Sequence, residues 1–377
     1  MSKLGVGSVL LCLVAGLAVA QTAADIRSPS YDPKSAEGGL ISQALLADDA
    51  AQKVQFLSAF IEKYGAHSAA GFAHYQLSQA YVETGDYDKA VESAQFVLKI
   101  APDDLEFRHN MIKALEGKQD WDSLLTNINE TKDLADKATG PKPAEVSQDE
   151  WNLQTEYAQG IHQYLEYSLY TSMFTITDPA TKAGFGEALR QHYPDGEYGK
   201  LAAEQLALAY QQAGDFEKML GVMRDSVAQS PTNETFLYTL AESSIRSNEL
   251  DQANQYAKQL VDLMETKQKP EAMADADWGN HKTLFTAYGN FILGRVLVIQ
   301  ENYRGGRTLL LETVDPLKAA GGENYGILAY FLGICYVKLD VQGDNIAAAR
   351  NWLGVASNTA SPYQSESKNI LSKLPPQ

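Results

Sequence analysis

Cysteine is almost missing: Cys12 and Cys335 are the only two in 377 residues. Cys12 lies in an apolar run, LGVGSVLLCLVAGLAVA, which follows Lys3 and ends in Ala18-Val19-Ala20 before the polar Gln21. One positive charge, a short apolar core and an A-x-A terminus have the form of a secretory signal peptide over residues 1–20, cleaved before Gln21. The run is short for a membrane-spanning helix, which needs about 20 residues; a retained N-terminal anchor is the alternative reading. Leu11 precedes Cys12 where a lipoprotein signal requires a small residue, so lipidation is not expected. Cleavage leaves Cys335 alone and no internal disulfide, although an exported setting permits one. Stability then rests on buried apolar surface, which a 45% hydrophobic composition supplies.

Positive charge is scarce as well. The chain has 31 Lys and Arg against 48 Asp and Glu. Without Lys3 the balance is 30 against 48, or −18. Such a chain repels phosphate backbones and anionic headgroups, which excludes nucleic acid as an expected partner. The acidity reads as solubility outside the cell or as attraction to a basic partner.

Catalytic signatures are missing too. The histidines are His67, His74, His109, His162, His192 and His281, and none forms H-E-x-x-H. His67 and His74 are separated by an expected turn at Ser68–Gly71, so no metal site is expected. Cys335 lies in YGILAYFLGICYVKL, an expected packed helix, and reads as a buried thiol rather than a nucleophile. GEYGKL, from Gly196, has two residues between its glycines where a phosphate loop needs four, and Leu201 stands where Ser or Thr would hold magnesium. DADWGN, from Asp275, begins like a calcium loop, but its twelfth position is Thr286, which has no carboxylate. Both read as loops. No enzyme, cofactor or metal is expected.

Repetition is what the chain does have. QLSQAYVETGDYDKA (Gln76–Ala90) returns as QLALAYQQAGDFEKM (Gln205–Met219), 129 residues later. The offset holds over more than forty residues: Tyr64 falls on Tyr193, Leu77 on Leu206, Tyr81 on Tyr210, Gly85 on Gly214, Pro102 on Pro231 and Phe107 on Phe236. Self-similarity at a fixed offset marks a repeat architecture. Within 71–104, Leu77, Ala80 and Tyr81, then Ala90, Ala94, Val97 and Leu98, recur at helical spacing on either side of Thr84-Gly85-Asp86. Gly85 can adopt the left-handed conformation that ends a helix, Asp86 can cap the next, and Pro102 stops it. The unit is a helical hairpin whose apolar stripes need a neighbouring hairpin to bury them.

The residues at positions 7, 8, 11, 20, 27 and 32 of 71–104 are Leu77, Ser78, Tyr81, Ala90, Val97 and Pro102, and this pattern resembles the tetratricopeptide repeat, with its period of 34. In 200–233 the matching residues are Leu206, Ala207, Tyr210, Met219, Ser226 and Pro231, of which Met219 and Ser226 depart from the pattern. The unit 105–138 is degenerate but keeps Asp120-Trp121; 234–267 keeps Leu240, Ala241, Ala253, Ala257 and Leu260. Leu293-Gly294 and Leu332-Gly333 mark two later units, where glycine would let a facing helix approach closely. The last needs about three extra residues in its turn, LDVQGDN. Ser361–Leu374 reads as a capping helix. The resemblance implies an all-α fold, a right-handed α-solenoid of antiparallel hairpins.

The organisation expected is a signal peptide (1–20), a flexible leader (21–37), an N-terminal block (38–138), a linker (139–150), a second block (151–267) and C-terminal units with a cap (284–374). The helix endings at Tyr64 and Tyr193 are similar to hairpin connections in bacterial envelope repeat proteins, such as those serving outer-membrane assembly and the Tol–Pal system. In the tetratricopeptide family the concave wall is lined by positions 2, 5, 9, 12 and 13 of each first helix. Carried over, these include Phe72, Tyr75 and Gln79; Tyr238, Glu242 and Arg246; Tyr288, Phe291 and Arg295; and Tyr330, Ile334 and Lys338. The aromatic row Tyr75, Tyr238, Phe291 and Tyr330 either holds a peptide segment or braces adjacent repeats. Tyr75 and Gln79 do not match the lysines and asparagines of a chaperone carboxylate clamp. A second stripe, Tyr157, Tyr164, Tyr167, Tyr170 and Phe174, reads as helix packing or as a patch for peptide or glycan. The expectation is a non-catalytic scaffold of the envelope or periplasm that binds another protein or peptide, with no stable membrane insertion after cleavage. The alternative is an accessory binder of surface glycan or a small molecule.

Overall fold

The computed structural model describes residues 23–339 and 345–375. The expected signal peptide and most of the LDVQGDN turn lie outside the described residues. Among the described residues there are nineteen α-helices and no strand. They are α1 (Ala23–Arg27), α2 (Ala36–Leu46), α3 (Ala50–Tyr64), α4 (Ala70–Thr84), α5 (Tyr87–Ile100), α6 (Leu105–Lys118), α7 (Trp121–Thr139), α8 (Gln148–Thr175), α9 (Pro179–His192), α10 (Glu197–Ala213), α11 (Phe216–Gln229), α12 (Glu234–Arg246), α13 (Leu250–Thr266), α14 (Asp275–Ile299), α15 (Tyr303–Glu312), α16 (Val314–Ala320), α17 (Gly322–Lys338), α18 (Asn345–Asn358) and α19 (Gln364–Lys373). The chain divides into two compact units, one to Ala202 and one from Ala203. The division falls inside α10, not in the 139–150 stretch.

Each unit is built of helical hairpins. Most helices pack chiefly on their sequence neighbours; α1 packs instead on α4, and α4 also meets α6, as α12 meets α14. The repeat positions form the core of this arrangement. Leu77, Ser78, Tyr81, Ala90 and Val97 are buried, as are Leu240, Ala241, Ala253, Ala257 and Leu260. At about 25 cal/mol per Å² of apolar surface, such stripes supply the main folding term, and they do so only when the next hairpin covers them.

One turn recurs across five hairpins. Gly85, Gln119, Gly214, Asn248 and Glu301 all have φ between +59° and +78°. In each, the left-handed residue donates its N–H to a carbonyl three residues back, and the next residue donates to a carbonyl five back. These paired bonds satisfy carbonyls that the helix end would leave without partners. Asp86 departs from its expected role. Its carboxylate makes no cap bond and instead accepts from Lys89 Nζ at 2.7 Å. The matching Asp215 does cap, accepting from Lys218 N at 3.1 Å, and Asp120 accepts from Ser123 N.

Glycine permits close helix approach at the two Leu-Gly pairs. A Cβ on Gly294 would lie 2.7 Å from Leu310 Cγ, and one on Gly333 would lie 2.6 Å from Leu353 Cγ. Two loop expectations are corrected. GEYGKL and DADWGN open α10 and α14 respectively, because the acidic residues Glu197, Asp275 and Asp277 favour the positive end of a helix. The 139–150 linker shortens to residues 140–147, since Ser147 caps α8 through Glu150 N at 3.2 Å. The leader is also not wholly flexible: α1 forms within it, and Ile26 is 1% exposed. Burial of one aliphatic side chain fixes that segment.

Candidate binding faces

α8 is 28 residues long and carries the second aromatic stripe. Its inner side is anchored by Glu116 of α6, whose carboxylate accepts hydrogen bonds from the Tyr164 hydroxyl and Ser168 Oγ. Burial, reinforced by the Glu116 charge, pushes the Tyr164 phenol above its ordinary range, so it stays a donor. Further along, Glu166 Oε1 accepts from Tyr198 N (2.8 Å) and Gly199 N (3.2 Å), satisfying the first turn of α10. Tyr170 stacks on Tyr198 with centroids 5.0 Å apart, and Phe174 meets Tyr170 edge-on at 5.1 Å.

The stripe is nevertheless only part covered. Tyr157 is 42% exposed, Tyr167 49% and Phe174 56%, and Leu153 on the same helix is also exposed. Leu153 and Tyr157 lie between two grooves of the first unit. One, of about 580 Å³, is floored by His109, Ile161 and Tyr164; the other, of about 570 Å³, is edged by Arg27, Asp103, Asp104 and Glu106. Burial, with Lys113 adding repulsion, pushes the His109 imidazole down to about 4, so the first groove's floor is neutral at pH 7. His109 Nε2 has no hydrogen-bond partner, and the ring packs edge-on against Tyr164 at 4.4 Å. Tyr157 is pushed up to about 12, by burial first and then by Glu106 and Asp104.

The twelve residues carried over from the repeat pattern fall into three environments. Phe72, Tyr75, Phe291, Arg295 and Tyr330 are buried. The Tyr75 hydroxyl donates to Glu106 and accepts from Gln79 Nε2 at 3.1 Å. Phe291 is fully enclosed, and Arg295, 3% exposed, pairs with Glu242 between the rings of Phe291 and Phe331. Tyr330 stacks on Tyr363 at 4.3 Å. Tyr238, Glu242, Tyr288 and Ile334 are half-buried, as is Gln79; Tyr238 stacks on Tyr288 at 4.5 Å and accepts from Asn324 Nδ2 at 2.9 Å. Arg246 and Lys338 are exposed. Tyr238, Glu242 and Arg246 line one groove of about 410 Å³ with Phe216, Asn324 and Ile327. The position-5 aromatics thus engage neighbouring helices of their own units.

Sequence reasoning passed over Leu153, Asp104, Glu106 and Ile26. Leu153 extends the α8 stripe by one helical turn and was legible there; the others acquire meaning only through distant partners. Cys335 is fully buried in α17, and its thiol is pushed up to about 12 by that burial. Among the described residues no group of three or more His, Cys, Asp or Glu is placed to hold a metal ion. Among them no helix is long and apolar enough to cross a membrane.

The tetratricopeptide repeat family model matches residues 73–104, the α4–α5 hairpin and its exit. The chain carries a tetratricopeptide repeat. Solved structures similar to this repeat protein include yeast Tom70 at 11% identity, covering 91% of this chain and 88% of that one, with a TM-score of 0.26. The APC/C hetero-tetramer Cut9–Hcn1 is similar at 10% identity, with 90% of each chain covered and a TM-score of 0.30. The P58(IPK) TPR domain is similar at 12% identity, with coverage of 90% and 98% and a TM-score of 0.28. No curated protein sequence matches the chain.

Proposed function

We propose that this repeat protein is a non-catalytic scaffold of the cell envelope or periplasm that binds another protein or a peptide segment. The observation that supports it best is the α8 stripe. Leu153, Tyr157, Tyr167 and Phe174 present apolar area to solvent beside Tyr164 and Tyr170, which Glu116 and Tyr198 hold in place. Tyrosine supplies large, stiff contact area with a polar tip, which suits it to protein interfaces. Export follows from the Lys3-to-Ala20 pattern, and N-terminal sequencing of the processed chain should begin at Gln21.

The test is site-specific photocrosslinking in cells. Benzoylphenylalanine at position 157 or 167 should capture a defined protein that the same group at exposed Glu217 does not. Capture should fall at least tenfold when Phe174→Ser is added. Glycan-gel retardation abolished by Tyr157→Ala and Tyr167→Ala, with no protein crosslink, would replace this reading by glycan binding.

A further inference from the structure

The first unit contains a segment seated on the wall that the repeats build. Ile26 of α1 is buried against Tyr75, Val97 and Phe107. Arg27 pairs with Asp104, reaches Glu106 at 3.6 Å and lies over the Phe107 ring at 5.1 Å. The two Asp104 oxygens divide their work: Oδ1 caps α6 through Glu106 N and Phe107 N, and Oδ2 takes Arg27. The acceptor side is therefore held by α6 itself and does not depend on α1 for its shape.

The duplicated block has a groove at the corresponding place. At the 129-residue offset, Asp104 and Phe107 become Asn233 and Phe236, and Tyr75 becomes Glu204. There, a groove of about 250 Å³ is lined by Glu204, Leu208, Asn233 and Phe236, with Leu208 exposed. Space between the first helices of successive hairpins thus occurs in both blocks, and in the first Ile26 packs into it. The contact is slight: one buried side chain and two partly exposed ion pairs from Arg27, and ion pairs of that kind contribute little. Beyond Arg27 the wall runs on as the acidic-edged groove of Asp103, Asp104 and Glu106.

We propose that the α4–α6 face is a binding site for a helical segment of a partner in which an aliphatic side chain is followed directly by arginine or lysine, and that Ala23–Arg27 is the chain's own occupant of that site. The apolar socket selects the first residue, and the Asp104–Glu106 pair selects the second. A partner segment extending into the adjoining groove makes contacts that five-residue α1 does not, and so displaces it. This specifies the partner chemistry and rests on the scaffold reading above.

The experiment uses the full chain, with the synthetic peptide Ala23–Ser30 as probe, and reads the methyl resonances of Val97 and Ile100. In an Ile26→Asp/Arg27→Glu chain the peptide should shift both methyls saturably. Half-saturation should need less peptide, by about twofold or more, than in the wild-type chain, where the tethered copy competes at an effective concentration of about millimolar. Glu106→Gln added to that variant should weaken binding several-fold while leaving the Asp104 cap in place. Equal titration of variant and wild type, or no shift up to several millimolar peptide, overturns the proposal. Either result leaves crosslinking at positions 157 and 167 untouched, so failure here is distinct from failure of the scaffold reading.

Discussion

The two copies of the duplicated block agree inside and differ on the wall. Leu77 and Leu206, Tyr81 and Tyr210, and Phe107 and Phe236 are all buried, and Gly85 and Gly214 share φ values of 78° and 77°. Position 5 changes from buried Tyr75 to exposed Glu204, and His109 becomes Tyr238. Where these residues agree they hold a hairpin against its neighbour; at positions 75 and 109, where the copies part, the side chain lies on the wall. Architecture is conserved between the blocks by packing, while the recognition surface is free to diverge.

The largest expected effect should fall equally on both copies. Leu77→Ala and Leu206→Ala should each destabilise their unit by about 2–5 kcal/mol, the range for emptying a packed core site. Urea unfolding followed by tryptophan fluorescence and circular dichroism checks this. A loss in one copy only would break the equivalence. A smaller test concerns the shared turn. Gly85→Ala and Gly214→Ala should each cost about 1 kcal/mol, because a Cβ disfavours positive φ. Glu301→Gly, at the same turn with φ +62°, should stabilise by a few tenths up to about 1 kcal/mol, read as a rise in Tm.

The smallest effect sharpens the difference between the blocks. The His109 imidazole titrates near 4 in the folded chain against about 6.5 unfolded, so between those values the unfolded state binds more protons. Its stabilising contribution is therefore complete above pH 6.5 and lost as pH falls towards 4. His109→Tyr, which copies the other block, should recover about 2–4 °C of the Tm lost over that interval. An unchanged pH profile would show that the ring is solvated.

Much of the fold was legible because helical periodicity and turn chemistry are local. Gly85 and Gly214 announced their turns, but Gln119 and Glu301 adopt the same conformation without the glycine that would have marked it. There the paired helix-end hydrogen bonds outweigh the cost of a side chain at positive φ. The Leu-Gly pairs pointed to close helix contacts at Leu310 and Leu353. The wall was harder to read. Position 5 aromatics look alike in sequence, yet Phe291 is sealed by its own unit and Tyr75 is covered by Ile26, 49 residues before it. No local pattern records which distant side chain arrives on top. The same holds for Glu116, whose partners Tyr164 and Ser168 lie 48 and 52 residues away.

By itself, the sequence determined the all-α class, the hairpin unit, its turns and the residues that each hairpin buries, because those depend on interactions spanning a few residues to one repeat. Tertiary structure alone decided which surfaces stay open. Ile26 packs into one groove, another groove lies beside Glu204, and Tyr157, Tyr167 and Phe174 keep their exposed area. Exposure is a property of what packs against a residue, and that partner is chosen by distance in space rather than along the chain.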